Sequence, residues 1–185
     1  VNWLKNKPSF QESLVSRFLI SQYFWNKFLP QIDSNGCPIL WENHFWSISH
    51  KEKIIFVWSW NNPIGIDLEL EKKRGNEIFS LHSENEYQKI WEKNLSNFYF
   101  LWTIKESILK LNLVWIDCMK NIQIIDIFQA PRENLFITTS LFQNKKVITY
   151  SWNKNDVFYS ISYFIPFHQD FSQSLNDLPK VDFFS

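Results

Sequence analysis

The chain has 185 residues, 19 basic against 19 acidic side chains, and 45% hydrophobic content, enough for one good core or two small halves sharing one. Balanced charge gives no ground for a general affinity for nucleic acid or an anionic membrane, a local basic patch aside. No apolar run reaches the length of a membrane span.

Ten Trp and 18 Phe predict a largely aromatic core. The two cysteines, Cys37 and Cys118, have no metal-ligand spacing around them and suit a reducing compartment. The opening Val1-Asn2-Trp3-Leu4-Lys5 does not have the pattern of a signal peptide. The expectation is a soluble cytoplasmic protein, in which Val1 need not be the native first residue.

Residues 9 to 29 read as a helix, with Ser9 and Glu12 in the spacing of a capping box. Leu14, Phe18, Tyr23 and Trp25 supply its apolar contacts, and Arg17 and Lys27 lie off that stripe. Asp33-Ser34-Asn35-Gly36 is a turn, and residues 39 to 41 form a short strand. Residues 45 to 49 and 53 to 60 read as two strands around a tight connection. The second is so apolar that burial on both faces is predicted. Asn61-Asn62-Pro63 breaks the chain.

Residues 64 to 71 then alternate strictly. Ile64, Ile66, Leu68 and Leu70 point one way; Gly65, Asp67, Glu69 and Glu71 point the other. Residues 77 to 93 form one or two short helices, with Ser83 and Glu86 as a second capping box. Residues 96 to 113 form the strongest helix. Strands follow at about 121–128, 134–141, 145–151 and 157–164, and the tail from Pro166 shows no period. This order indicates an α+β fold with antiparallel sheets.

Two strings carry chemistry. Residues two apart on a strand lie about 6.5 Å apart on one face, so Asp67 and Glu69 can share a divalent ion. Hard oxygen donors without His or Cys point to Mg²⁺ or Mn²⁺ rather than Zn²⁺. Gly65, on the same face, leaves room for a bulky ligand. Solvated acids on an exposed strand fit the same pattern. On the long helix, Thr103, Glu106, Ser107 and Lys110 form a polar stripe opposite Leu101, Ile104, Ile108 and Leu111. Glu106 and Lys110 are an i, i+4 pair in the favourable order, so an ordinary intrahelical ion pair explains them equally. Ser49 and His50 end a strand at a turn, where a hydroxyl and an imidazole can meet a phosphate. Their adjacency in a strand faces them apart and argues against serine-protease chemistry.

Taken in order, these strings resemble the motifs of the 4′-phosphopantetheinyl transferase superfamily. Gly36-Cys37-Pro38 is similar to its Gly-Lys-Pro turn, and Phe45-Trp46-Ser47-Ile48-Ser49-His50 to its Phe-Asn-x-Ser-His motif. Gly65-Ile66-Asp67-Leu68-Glu69 resembles Gly-x-Asp-x-Glu, and Trp102 to Lys110 resembles Trp-x-x-Lys-Glu-Ala-x-x-Lys. Cys37, Ser47 and Ser107 replace the family's Lys, Asn and Ala. Length favours the surfactin-synthetase-activating type.

That resemblance implies a monomer of two pseudo-symmetric halves, each an antiparallel sheet packed with a long helix. Residues 1–62 would form the nucleotide-side half and 63–165 the half with the metal-binding and catalytic motifs; 166–185 would be an extension. It implies transfer of the 4′-phosphopantetheine group of coenzyme A to a serine of an acyl or peptidyl carrier protein, with Mg²⁺ held by Asp67, Glu69 and Glu106. Glu106 would also be the base and Lys110 the phosphate clamp. His50 would meet the 3′-phosphate or nearby phosphate oxygens, with Ser49 beside it. Arg17 would be a further phosphate contact, and Gly36 to Pro38 would border the adenine. Lys72-Lys73-Arg74 and Phe79-Ser80-Leu81 are candidates for a carrier-protein patch, with a solvated linker as the alternative. Lys105 matches the motif but has no role, and Trp102 reads as a packing residue.

Two rivals remain. A Mg²⁺-dependent nuclease with an Asp…Glu-x-Lys core would want its Lys two residues after Glu on a strand, and a more basic surface. An impaired transferase homologue that only binds a carrier protein or a nucleotide would not need the complete set Asp67, Glu69, Glu106 and Lys110.

Overall fold

A computed structural model describes residues 44–131 and 134–165, together with 15, 18, 21, 22, 31–33, 38 and 39. Most of the expected helix over 9–29 lies outside the described residues, though Val15 and Phe18 are helical; the tail from Pro166 and the individual positions Arg17, Gly36 and Cys37 lie outside them too. Ile32 and Pro38 pair antiparallel across the expected turn. The Trp46 indole donates to the Ile39 carbonyl at 3.2 Å, which ties this turn to the strand that follows.

The described fold is α+β with antiparallel sheets. Strands β1 (Phe45–Lys51) and β2 (Ile54–Trp60) form a two-stranded ribbon closed by a tight turn at Glu52 and Lys53. After the break at Pro63 comes β3 (Ile64–Leu70), then a 3₁₀ turn at Asn76–Leu81. Helix α1 (Glu84–Lys89) and the 17-residue helix α2 (Leu95–Leu111) follow. A second 3₁₀ turn, Ile116–Asn121, leads into β4 (Gln123–Gln129), β5 (Leu135–Phe142), β6 (Lys145–Lys154) and β7 (Val157–Phe164). The last four strands form a meander. β3 joins it beside β7, so the sheet runs β3-β7-β6-β5-β4.

Helix starts follow their sequence signals. Ser83 and Glu86 close a full capping box at α1, and the Asn94 side chain accepts from the Asn97 N–H at 2.8 Å to start α2. Each satisfies backbone donors that a helix leaves orphaned.

The five-stranded sheet is covered on both faces. Helix α2 lies over one, where Phe98, Leu101, Ile104, Ile108 and Phe100 join Phe142, Val147 and Phe158 in the main core. The ribbon lies over the other, where Phe56, Trp58 and Trp60 meet Ile64, Ile66, Trp152 and Ile161. This corrects the expectation that the 53–60 strand is buried on both faces. Every residue of β2 is half-buried: Phe56, Trp58 and Trp60 pack on the sheet, and β1 is its only described ladder partner.

Gly65 also has a different reason from the one expected. A Cβ there would lie 2.0 Å from the Ser107 carbonyl oxygen and 2.3 Å from the Leu111 nitrogen. The missing side chain makes room for the backbone of α2, not for a ligand. Thr103 and Ser107 fit the same close approach. Both are fully buried, not part of a solvated stripe. Ser107 Oγ lies 2.6 Å from Ser162 Oγ, and Ser160 Oγ donates to Thr103 Oγ1 at 3.1 Å. Small hydroxyl side chains let the helix sit near the sheet while the hydroxyls of Thr103, Ser107, Thr149, Ser160 and Ser162 find partners.

Candidate metal and phosphate site

The close seat of α2 on β3 creates the site. Alternation along β3 puts Asp67 and Glu69 on the helix side, and one turn of α2 brings Glu106 and Lys110 above them. Asp67, Glu69 and Glu106 each offer a carboxylate oxygen, and these atoms lie within 4.8 Å of one another. The two rival explanations from sequence, solvated strand acids and a simple intrahelical pair, do not fit this convergence. Asp67 is 1% exposed, and Lys110 reaches across to Asp67 Oδ1 at 2.6 Å.

Strand β1 supplies the rest. β3 has a ladder partner, β7, on one edge; the other edge is met by side chains. Ser47 Oγ accepts from the Ile66 N–H at 3.1 Å and Ser49 Oγ from the Leu68 N–H at 3.2 Å. Ser49 Oγ also donates to Asp67 Oδ1 at 2.9 Å and accepts from Lys110 Nζ at 3.1 Å. Ser49 therefore stands inside the carboxylate cluster. His50, one residue on, points to the other side of the ribbon by strand alternation.

Electrostatics leave this cluster in deficit. Asp67 Oδ1 takes two donors, but Oδ2 is buried and meets none. Glu106 is pushed up to about 8, first by burial and then by repulsion from Asp67, with Lys110 pulling the other way and Glu69 adding to the rise. Carboxylates at this separation hold together only with a proton or a cation between them. An orphaned oxygen, three hard oxygen donors and no sulfur or imidazole among them fit a divalent ion of the Mg²⁺ class.

Two residues that sequence reasoning left aside find their places. Lys105 is 2% exposed, and its ammonium lies 2.7 Å from Glu86 Oε1 and 2.9 Å from Oε2. The same Glu86 closes the α1 capping box. Burial pushes the Glu86 carboxyl up, but Lys105 and the Ser83 N–H outweigh it and hold it below its ordinary value. Lys105, left without a role by the sequence, forms a buried lock between the two helices. Lys51 is the other. Its ammonium sits 2.8 Å from both oxygens of Glu69. Alternation in β1 places Ser47, Ser49 and Lys51 on one face, a signal present in the sequence.

The remaining candidates are less central. Trp102 packs beside Phe98, ring centroids 5.7 Å apart, as a scaffold residue. Phe79 packs on Tyr87 and Phe98 and is partly buried, and Leu81 is half exposed. Lys72 pairs with Glu52 at 2.6 Å, and Arg74 Nε donates to the Tyr99 hydroxyl at 3.3 Å. Cys118 is a free, half-buried thiol. Among the described residues no helix is long and apolar enough to cross a membrane.

Comparison with known proteins bears on this geometry. Residues 63–163 match the family model of the 4′-phosphopantetheinyl transferase superfamily, which takes in β3, α2 and β7 together. The chain is also 30% identical over 142 residues to the 4′-phosphopantetheinyl transferase gsp of Aneurinibacillus migulanus. That alignment covers 63% of this chain and 58% of the relative, so the chain spans less than two thirds of the length of the curated protein it matches.

Proposed function

This chain belongs to the 4′-phosphopantetheinyl transferase superfamily, and from that premise we propose that it transfers the 4′-phosphopantetheine group of coenzyme A to a serine of an apo carrier protein, leaving 3′,5′-ADP. The observation that carries this reading is the convergence of Asp67, Glu69 and Glu106 to within 4.8 Å, with Lys110 on the same cluster.

In this reading Asp67, Glu69 and Glu106 hold Mg²⁺. When bound, that ion supplies neutralisation of the charge that develops on the pyrophosphate oxygens. The chain's own groups do the rest. The serine oxygen of the carrier forms a bond to the β-phosphorus as the bond to the bridging pyrophosphate oxygen breaks. Glu106 takes the serine proton, directly or through a water; burial makes it a better base than a solvated carboxylate. Lys110 steadies the phosphates and the departing nucleotide. Ser49 fixes the rotamer of Asp67, and His50 serves the 3′-phosphate. Arg17 and Gly36 are proposed as further contacts to phosphate and adenine, with Pro38 beside them.

Incubating the protein with coenzyme A, Mg²⁺ and a panel of apo carrier proteins tests this. Mass spectrometry of at least one carrier is expected to show one added phosphopantetheine. Glu106→Gln is expected to abolish that gain while coenzyme A still binds. A folded wild-type protein that modifies no carrier overturns the transferase reading, and near-normal turnover by Glu106→Gln removes Glu106 from its roles.

A further inference from the structure

β1 follows the edge of β3 in step. Ser47 meets Ile66, Ser49 meets Leu68, and the next residue on that face, Lys51, meets Glu69. Lys51 lies one residue beyond the Ser-His motif. The backbone around it is held: Lys51 pairs with Ile54 in the ribbon, and Glu52, in the turn with φ 55°, forms an ion pair with Lys72 beyond the end of β3. The side chain itself is 32% exposed, against 13% for Glu69. Lys110 has the same character, at 34% against 2% for Asp67. Two ammonium groups therefore stand at the mouth of the cluster, each resting on one of the deeper carboxylates.

The charge count gives this arrangement its meaning. With all three carboxylates ionised, as holding a divalent cation requires, three carboxylates and two ammoniums sum to one net negative charge. A divalent cation reverses that to one net positive. The same cation competes for the Glu69 oxygens, both of which Lys51 now occupies. An ammonium displaced from Glu69 stays at the mouth, because its backbone is anchored, and becomes a donor without a carboxylate.

We propose that Lys51 is a second phosphate-binding ammonium of this site, resting on Glu69 in the metal-free protein and turning to a pyrophosphate group once a divalent cation takes that carboxylate. The proposal rests on the transferase reading for the identity of the natural anion, not for the anion class. Lys110 and Lys51 then grip the pyrophosphate from two sides, one from α2 and one from the ribbon tip. A bound pyrophosphate thereby ties the ribbon to the helix.

Calorimetry on the whole chain with two simple probes tests it: Mn²⁺ alone, and inorganic pyrophosphate added to Mn²⁺-saturated protein. Lys51→Met, checked for an unchanged unfolding midpoint, is expected to bind Mn²⁺ alone about threefold more tightly, because the competing ion pair is gone. It is expected to bind pyrophosphate about tenfold more weakly, the loss typical of one charge-assisted contact. Lys51→Gln, which can still hydrogen-bond Glu69, must show the same loss of pyrophosphate, and Lys51→Arg must retain it. Pyrophosphate binding within twofold of wild type in both Lys51→Met and Lys51→Gln overturns the proposal, whatever the carrier assay gives. Loss of pyrophosphate binding in those variants upholds it even if no carrier is ever modified, which would sink only the transferase reading.

Discussion

Helix α2 carries two lysines five residues apart, and each reaches a buried acid of another element. Lys105 and Glu86 saturate one another. Both oxygens of Glu86 are used, by Lys105 and by the Ser83 N–H. At the other end, Lys110 pairs with Asp67, but Asp67 Oδ2 is unmet and Glu106 is pushed up to about 8. The first region is a closed account that holds α1 to α2. The second is left short of positive charge, as a group able to hold a cation would be. Charge in a buried place is thus not itself a mark of function; unbalanced charge is.

The sharpest way to break this comparison is Lys105→Met. It leaves Glu86 buried without its cation, and about 3–5 kcal/mol of stability should be lost. Denaturant unfolding measures the loss. Mn²⁺ affinity of the protein that remains folded should stay near wild type; a selective loss of metal binding would mean the two regions are not separate.

Gly65→Ala should do the reverse. The new Cβ meets helix backbone, which cannot step aside as a flexible side chain would, so α2 must shift away from β3. About 3 kcal/mol of stability should go. Mn²⁺ affinity should fall as Glu106 moves off its partners, with the Lys105–Glu86 lock intact. Unchanged Mn²⁺ binding in calorimetry would show that helix depth does not set the cluster.

The smallest effect is a pH slope. Glu106 titrates higher in the folded protein than its ordinary 4.5, so the folded state binds the extra proton between that value and about 8. Metal-free stability should therefore fall as pH rises through this window, by on the order of 2 kcal/mol after solvent screening is allowed for. Saturating Mg²⁺ should flatten the slope. Thermal unfolding from pH 5 to 8, with and without the ion, checks this; a slope of the same size in both would put the shift elsewhere. His82 contributes in the other direction. Buried among Phe98, Trp102 and Tyr87, it is pushed down to about 4, mainly by burial. Its share of stability is complete above 6.5 and is lost as pH falls through 4, so the two slopes oppose one another between about 4.5 and 6.5 and Glu106 acts alone from about 6.5 to 8.

Much of the site was legible in local pattern. Strict alternation over 64–71 put Asp67 and Glu69 on one face, and helical spacing put Glu106 beside Lys110. The Ser83 and Glu86 capping box was visible as well. What these signals share is a range of at most four residues, where backbone period alone fixes direction. Gly65 was misread because the neighbour that needs its space, the backbone at Ser107 and Leu111, lies more than forty positions away. Thr103 and Ser107 were misread for a related reason. A small hydroxyl side chain is polar to a periodicity argument, yet it packs well in a dry contact when the facing strand offers Ser160 and Ser162.

The amino-acid sequence by itself determined which residues share a face of one strand or one helix, since the periods 2.0 and 3.6 are properties of the backbone. It also placed the chain in its superfamily through four motifs in order. Only the tertiary structure decided which faces meet. It turned Lys105 inward to Glu86, Lys110 across to Asp67 and Lys51 onto Glu69. Partner choice among like-charged residues depends on distance and burial, and both are set by how closely α2 and the ribbon pack on β3.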